Sequence, residues 1–157
     1  MFKVDDIRKE FPIFNQQKGL VYLDSASTAQ TPQSVIDSVS SYYSNYNANI
    51  HRALYEIGEK ATNEYESVWE KVRKFLNVPD THEIIFTRSS TESINLVAHA
   101  WGSNNLSNEK GVLISEMEHH SNLVPWQLIT KKVSSFLNDI QLLDDGTLDL
   151  SSIEKTM

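Results

Sequence analysis

The chain has 157 residues, 39% of them hydrophobic and 22% charged, which fits one ordinary globular domain and excludes a disordered tail. Its 21 acidic and 14 basic residues leave a net charge of −7, which disfavours general electrostatic binding to nucleic acid or to an anionic membrane. Cysteine is absent, so the chain supplies no disulfide, thiolate metal site or thiol nucleophile of its own. No apolar run approaches the ~18 residues of a membrane span, and the start Met1-Phe2-Lys3-Val4-Asp5-Asp6 has no signal-peptide pattern. The expected location is cytoplasmic, or an organelle matrix.

Asp5 to Phe11 reads as a short helix stopped by Pro12, and Leu20-Val21-Tyr22-Leu23 as a short buried strand. Thr31-Pro32 predicts a helix start, with a hydroxyl N-cap and proline at the first helical position. Val35, Ile36, Val39, Tyr42, Tyr43 and Tyr46 then follow at helical spacing. A loop over residues 45–52 precedes a longer helix, whose apolar stripe runs from Leu54 and Ile57 to Phe75 and Leu76 and is ended by Pro79.

The second half changes texture. Glu83-Ile84-Ile85-Phe86-Thr87 reads as a buried strand and Arg88 to Glu92 as a polar turn. Ile94, Val97, Ala98 and Trp101 mark a helix closed by Gly102. Strand 111–115, a helix around Trp126 to Val133 and a strand over 136–143 follow, the last interrupted by Asn138-Asp139. Asp144-Asp145-Gly146 is a turn, and Ser151 with Glu154 fits a capping box for a helix that the chain starts and does not finish. Alternating strands and helices predict an α/β fold with a mainly parallel sheet flanked by helices, preceded by N-terminal helical segments.

In such a sheet ligands sit where strands turn into helices. One such turn carries Ser89-x-x-Glu92, which is either a plain helix start or an anion cradle with Ser90 and Thr91 on a phosphate. No dinucleotide or nucleoside-triphosphate glycine fingerprint is present. A second turn carries Glu116-Met117-Glu118-His119-His120. Adjacent histidines point to different sides and chelate one metal poorly, so no metal site is expected. Each is either a polar loop residue or an imidazole that stacks on a flat heterocycle and exchanges protons. His51 beside Arg52 either grips a carboxylate or is simply solvated.

Taken in order, these stretches resemble the class V aminotransferases, a fold-type I family using pyridoxal 5'-phosphate, and within it the Suf-type (group II) cysteine desulfurases. The matching segments are Tyr22 to Pro32, Asn49-Ile50-His51-Arg52, Phe86 to Ala98, Ser115 to Gln127 and Asp145-Gly146-Thr147-Leu148. The resemblance implies a partial fold-type I aminotransferase-like large domain over 31–157, with 1–30 as a segment associated with the small domain. It implies that Ser90 and Thr91 bind the cofactor phosphate and that His119 stacks on the pyridine ring and helps proton transfer. It puts Ala26 and His51 near the substrate entrance, and Arg52, Arg88 and Glu92 near a dimer interface. Ser89, Ala53 and Tyr55 depart from the family pattern, which has Gly, Gly and His there.

The family's cofactor-anchoring lysine, its aspartate under the pyridine nitrogen and its sulfur-accepting cysteine all lie beyond the point matching Met157. The implied parent is a homodimer that converts L-cysteine to L-alanine and an enzyme persulfide for iron–sulfur assembly, through a sulfur-acceptor protein. The chain by itself is expected to be inactive. The other readings are a non-catalytic anion-binding scaffold module, and another class V enzyme such as selenocysteine lyase. With more than half of the implied fold absent, the chain is also expected to leave an apolar sheet face and edge uncovered, and so to oligomerise, swap or be marginally stable.

Overall fold

The computed structural model describes residues 3–79 and 82–153. The chain divides into two compact units, residues 1–84 and 85–157.

The first unit is helical. Helix α1 spans Val4–Lys9 and α2 spans Pro12–Gln16. Pro12 therefore both stops one helix and opens the next, because its missing N–H is no loss at a helix start. The apolar run Leu20 to Leu23 forms no strand; Val21 and Leu23 face outward, with Leu23 91% exposed. A strand needs a neighbour to complete its ladder, and none is present among the described residues of this unit.

Helix α3, Gln33–Ser41, has Pro32 as its N-cap, and no side chain caps it, so the expected Thr31 cap does not form. It runs into a π turn, Tyr42–Tyr46, which sets Tyr42 edge-on against both Tyr43 and Tyr46. Helix α4 spans Glu56–Phe75, with Glu56 and Glu59 in its first turn and Arg73 and Lys74 in its last, the charge order that suits the helix dipole. Its stop is not Pro79. Asn77 takes the left-handed conformation (φ 53°), Val78 N–H donates to Arg73 O and Asn77 N–H to Lys74 O, a Schellman closure. Leu54 lies outside the helix and is fully exposed.

The second unit is α/β. Residues 83–87 form no strand, and Ile85 and Phe86 are exposed. Helix α5 spans Ser90–Val97, passes through a π turn at Ala98–Gly102 and ends in one short turn, α6, Ser103–Asn105. Gly102 does not close the helix, because its backbone stays right-handed and it is buried against Ile129 and Leu106. Strand β1, Val112–Ser115, pairs in parallel with β2, Leu137–Ile140, in the register Val112 to Leu137 and Ser115 to Ile140. Helix α7, His120–Lys132, makes the crossover. Ala98, Leu106 and Ile129 are the buried core, with Val112, Trp126 and Val133 packed on it. The last described element is a 3₁₀ turn, Leu150–Ser152, capped by Asp149, which accepts from Ser151 N–H. Glu154, the other half of the expected capping box, lies outside the described residues.

Candidate active site

Two helix N-termini of the second unit meet at one cavity of about 280 Å³, lined by Thr91 and Asn95 of α5 and by His119, His120, Ser121, Val124 and Pro125 at the start of α7. The first helix start is built by Ser89. Its Oγ accepts from Glu92 N–H at 3.2 Å, while Glu92 Oε2 accepts from Arg88 N–H at 2.7 Å. With the cap made, helix geometry leaves the N–H groups of Ser90 and Thr91 without intrahelical acceptors. Those donors, the two hydroxyls and the positive end of the dipole suit a phosphate or other anion. Thr91 lines the cavity, and Ser90, exposed one residue earlier, does not.

The second helix start is built by the histidine itself. His119 is the N-cap of α7, and its Nδ1 accepts from Ser121 N–H at 3.1 Å, with Ser121 Oγ 2.9 Å away. The turn before it is held by a chain of side chains. Ser115 Oγ donates to Glu118 Oε1 (2.7 Å), Asn122 Nδ2 donates to Glu118 Oε2 (2.8 Å), and Trp126 Nε1 donates to Asn122 Oδ1 (2.9 Å). These bonds hold the Glu118 carboxyl below the usual range, first through Ser115 and then through Asn122. Glu116, at the strand end, accepts from Leu142 N–H at 2.9 Å and joins the turn to the chain beyond β2. Strand β1 thus delivers a fixed turn, and that turn delivers His119 to the cavity that Thr91 shares.

The other expected residues have their own settings. Arg88 is 93% exposed and pairs with Glu92 at 3.3 Å. In the first unit, Ala26 is exposed in a tight turn whose ends are tied by Ser27 and Thr28 N–H to Asp24 O. Tyr22 OH braces the same turn by donating to Thr28 O at 2.6 Å. His51 is left-handed (φ 73°), a conformation a non-glycine residue keeps only when its neighbours hold it. Its N–H donates to Thr62 Oγ1 at 3.0 Å, its ring meets Tyr65 edge-on, and Nδ1 lies 3.6 Å from Glu66. Arg52 is exposed beside it.

Sequence reasoning did not single out Asn95, Ser121, Val124 and Pro125 as lining residues, nor the Glu118–Asn122–Trp126 relay. The spacings were visible: Asn95 stands four residues after Thr91, and Glu118, Asn122 and Trp126 repeat at four. No cluster among the described residues is suited to a metal ion.

This arrangement can be set beside known proteins. The model of the family described as aminotransferase class-V matches residues 21–157. The chain belongs to the aminotransferase class-V family. Among class-V relatives, a probable cysteine desulfurase of Staphylococcus aureus strain Mu50 is 43% identical over 159 residues, covering 99% of this chain and 38% of the relative. A probable cysteine desulfurase of Streptomyces coelicolor is 44% identical over 165 residues, covering 100% of this chain and 40% of the relative. The apo cysteine desulfurase of Thermococcus onnurineus NA1 superposes with a TM-score of 0.84 at 36% identity, over 99% of this chain and 38% of that one. The cysteine desulfurase CsdA of Escherichia coli gives 0.81 at 33% identity, with the same coverage. The chain therefore spans about two fifths of the length of the curated relatives it matches.

Proposed function

We propose that these residues form the N-terminal, cofactor-holding part of a pyridoxal-phosphate-dependent cysteine desulfurase, which takes L-cysteine to L-alanine and passes the sulfur on for iron–sulfur assembly. The observation that carries the reading is the single cavity shared by Thr91 at one helix start and His119 at the other. The donors present fit the group: Ser90 and Thr91 offer hydroxyls and free N–H groups to its phosphate, and the His119 imidazole offers a flat face to its ring. When bound, pyridoxal phosphate supplies an electron sink for charge developing at the amino acid's α-carbon. The chain's own part is to hold the phosphate, orient the ring and handle a proton at His119.

In such an enzyme Ala26 and His51 stand near the substrate entrance, and Arg52, Arg88 and Glu92 near the interface of a homodimer. Residues 1–30 go with the small domain and 31–157 with the large one, and the enzyme works in the cytoplasm or an organelle matrix. Because the 157 residues contain no cysteine, the thiol that accepts sulfur is supplied from outside them, and the chain by itself turns over no L-cysteine.

The test is a titration of the chain with pyridoxal phosphate, followed by absorbance, with and without competing inorganic phosphate. Saturable binding that phosphate displaces is expected, weakened at least severalfold by Thr91→Ala and by His119→Ala. Binding indifferent to phosphate and to both variants overturns the cofactor assignment. The product of the native gene is then supplied with L-cysteine. Alanine release is expected, and its failure while cofactor is bound overturns the desulfurase assignment.

A further inference from the structure

We propose that Ser121 is a positioning residue for His119: it engages the lone pair on Nδ1, so that neutral His119 carries its proton on Nε2 and presents that N–H to the cavity. The proton-handling role rests on the function proposed above; the tautomer does not. The argument begins with the donor. A backbone N–H has only a hydrogen to offer, and that of Ser121 lies 3.1 Å from His119 Nδ1. Nδ1 must therefore present a lone pair, and the one proton of a neutral imidazole is left to Nε2. Ser121 Oγ, 2.9 Å from the same nitrogen, can share that lone pair as a second donor. The opposite tautomer would set Nδ1–H against the Ser121 N–H.

The backbone that carries the ring is held in place. His119 is the N-cap residue, with φ −64° and ψ 148°, and its carbonyl accepts from Asn122 N–H at 2.8 Å. On its other side, Glu118 is fixed through Ser115 and Asn122. A histidine tautomer is commonly set by a carboxylate or carbonyl that takes the Nδ1 proton. Here the adjacent acid, Glu118, is engaged by other donors, and a helix terminus sets the tautomer instead. Other groups at the cavity do not compete for the role. Among the described residues, the only ionisable side chain lining it besides His119 is His120, whose ring centroid lies 6.1 Å away, and α5 contributes Thr91 and Asn95. Taking a proton at Nδ1 would break the cap of α7, so protonation of this ring and capping of this helix exclude one another.

The consequence is directional. Neutral His119 gives a hydrogen bond from Nε2 to an acceptor atom in the cavity, and accepts a proton only by releasing the Ser121 N–H.

The test uses the 157-residue chain without cofactor or substrate, labelled with ¹⁵N, at a pH about two units above imidazole's ordinary 6.5. The His119 ring signals are identified by their loss in His119→Gln. The expected result is a protonated Nε2 and a lone-pair Nδ1. Ser121→Ala, which keeps the N–H, is expected to retain that pattern, and Ser121→Pro, which removes it, to give a mixture of tautomers. Because Ser121→Pro risks the fold, a second reading is taken on the unaltered chain: lowering the pH should shift the Ser121 amide and cut its exchange protection in step with His119 protonation. A protonated Nδ1 in the neutral ring, or a Ser121 amide indifferent to His119 titration, overturns the proposal. Either result leaves the cofactor titration and the alanine assay to decide the desulfurase reading separately.

Discussion

Gly58 is glycine because no side chain fits there. A Cβ would come within 2.1 Å of the Ala53 Cβ and 3.1 Å of the Tyr55 ring, where the loop crosses the first turn of α4. Gly58→Ala is expected to cost about 1–3 kcal/mol by overpacking, read by urea denaturation, with Ala53→Gly in the same chain returning part of it. A neutral result would mean that the loop moves aside freely. Ser89 has two separable effects. Ser89→Ala loses the cap of α5 and should cost about 1 kcal/mol. Ser89→Asp keeps a cap and so keeps stability, but sets a negative charge beside Ser90 and Thr91 and should weaken pyridoxal phosphate binding. If Ser89→Asp binds as well as the unaltered chain, the phosphate does not sit at this helix start. The candidates were legible as residues: Ser90, Thr91 and His119 stand out by type and by place after a turn, and Thr91 and His119 line one cavity. Ser121 did not, because a capping hydrogen bond made by a main-chain N–H leaves no trace in residue identity.

Helix α4 shows how an element carries its own pH response. Hydrogen bonds from Arg73 and Lys74, followed by their charges, pull the Glu70 carboxyl from an ordinary 4.5 down to about 2. The folded-state value is depressed, so the contribution of these pairs is whole above the unfolded value of 4.5 and is lost as pH falls through about 2. Glu70→Gln should therefore lower the melting temperature measured by circular dichroism slightly at neutral pH, slightly because the pairs are exposed, and this difference should close as pH falls through about 2, leaving a flatter acid limb. An identical acid limb in the variant would dismiss the pairs as a source of acid sensitivity. At this scale the helices were readable and the strands only partly so. Helical periodicity is internal to a segment, and α3, α4 and α7 fall where it predicts them. A strand is completed by another segment's hydrogen bonds. The apolar runs at 20–23 and 83–87 have strand composition but join no ladder among the described residues, whereas 112–115 and 137–140 pair with each other.

At the scale of the whole chain, burial is sparse. In the first unit, Val39, Tyr43 and Tyr65 remain exposed around a groove of about 660 Å³ between α3, its π turn and α4. In the second unit, Ile85, Phe86, Trp101 and Leu128 are exposed. Apolar surface of this extent on a single chain favours association. Sedimentation velocity of the 157-residue chain is expected to show concentration-dependent self-association, together with binding of an apolar dye. A monomer that stays dye-free across the concentration range would count against that expectation. The parallel pair of the second unit carries a consequence of a different kind, in the order of folding. Val112 and Leu137 are about 25 residues apart, and α7 packs on both strands it connects. Every contact in that crossover is made within a short stretch of sequence. The turn bearing His119 therefore belongs to a unit that can close early in folding, with little loop entropy to overcome.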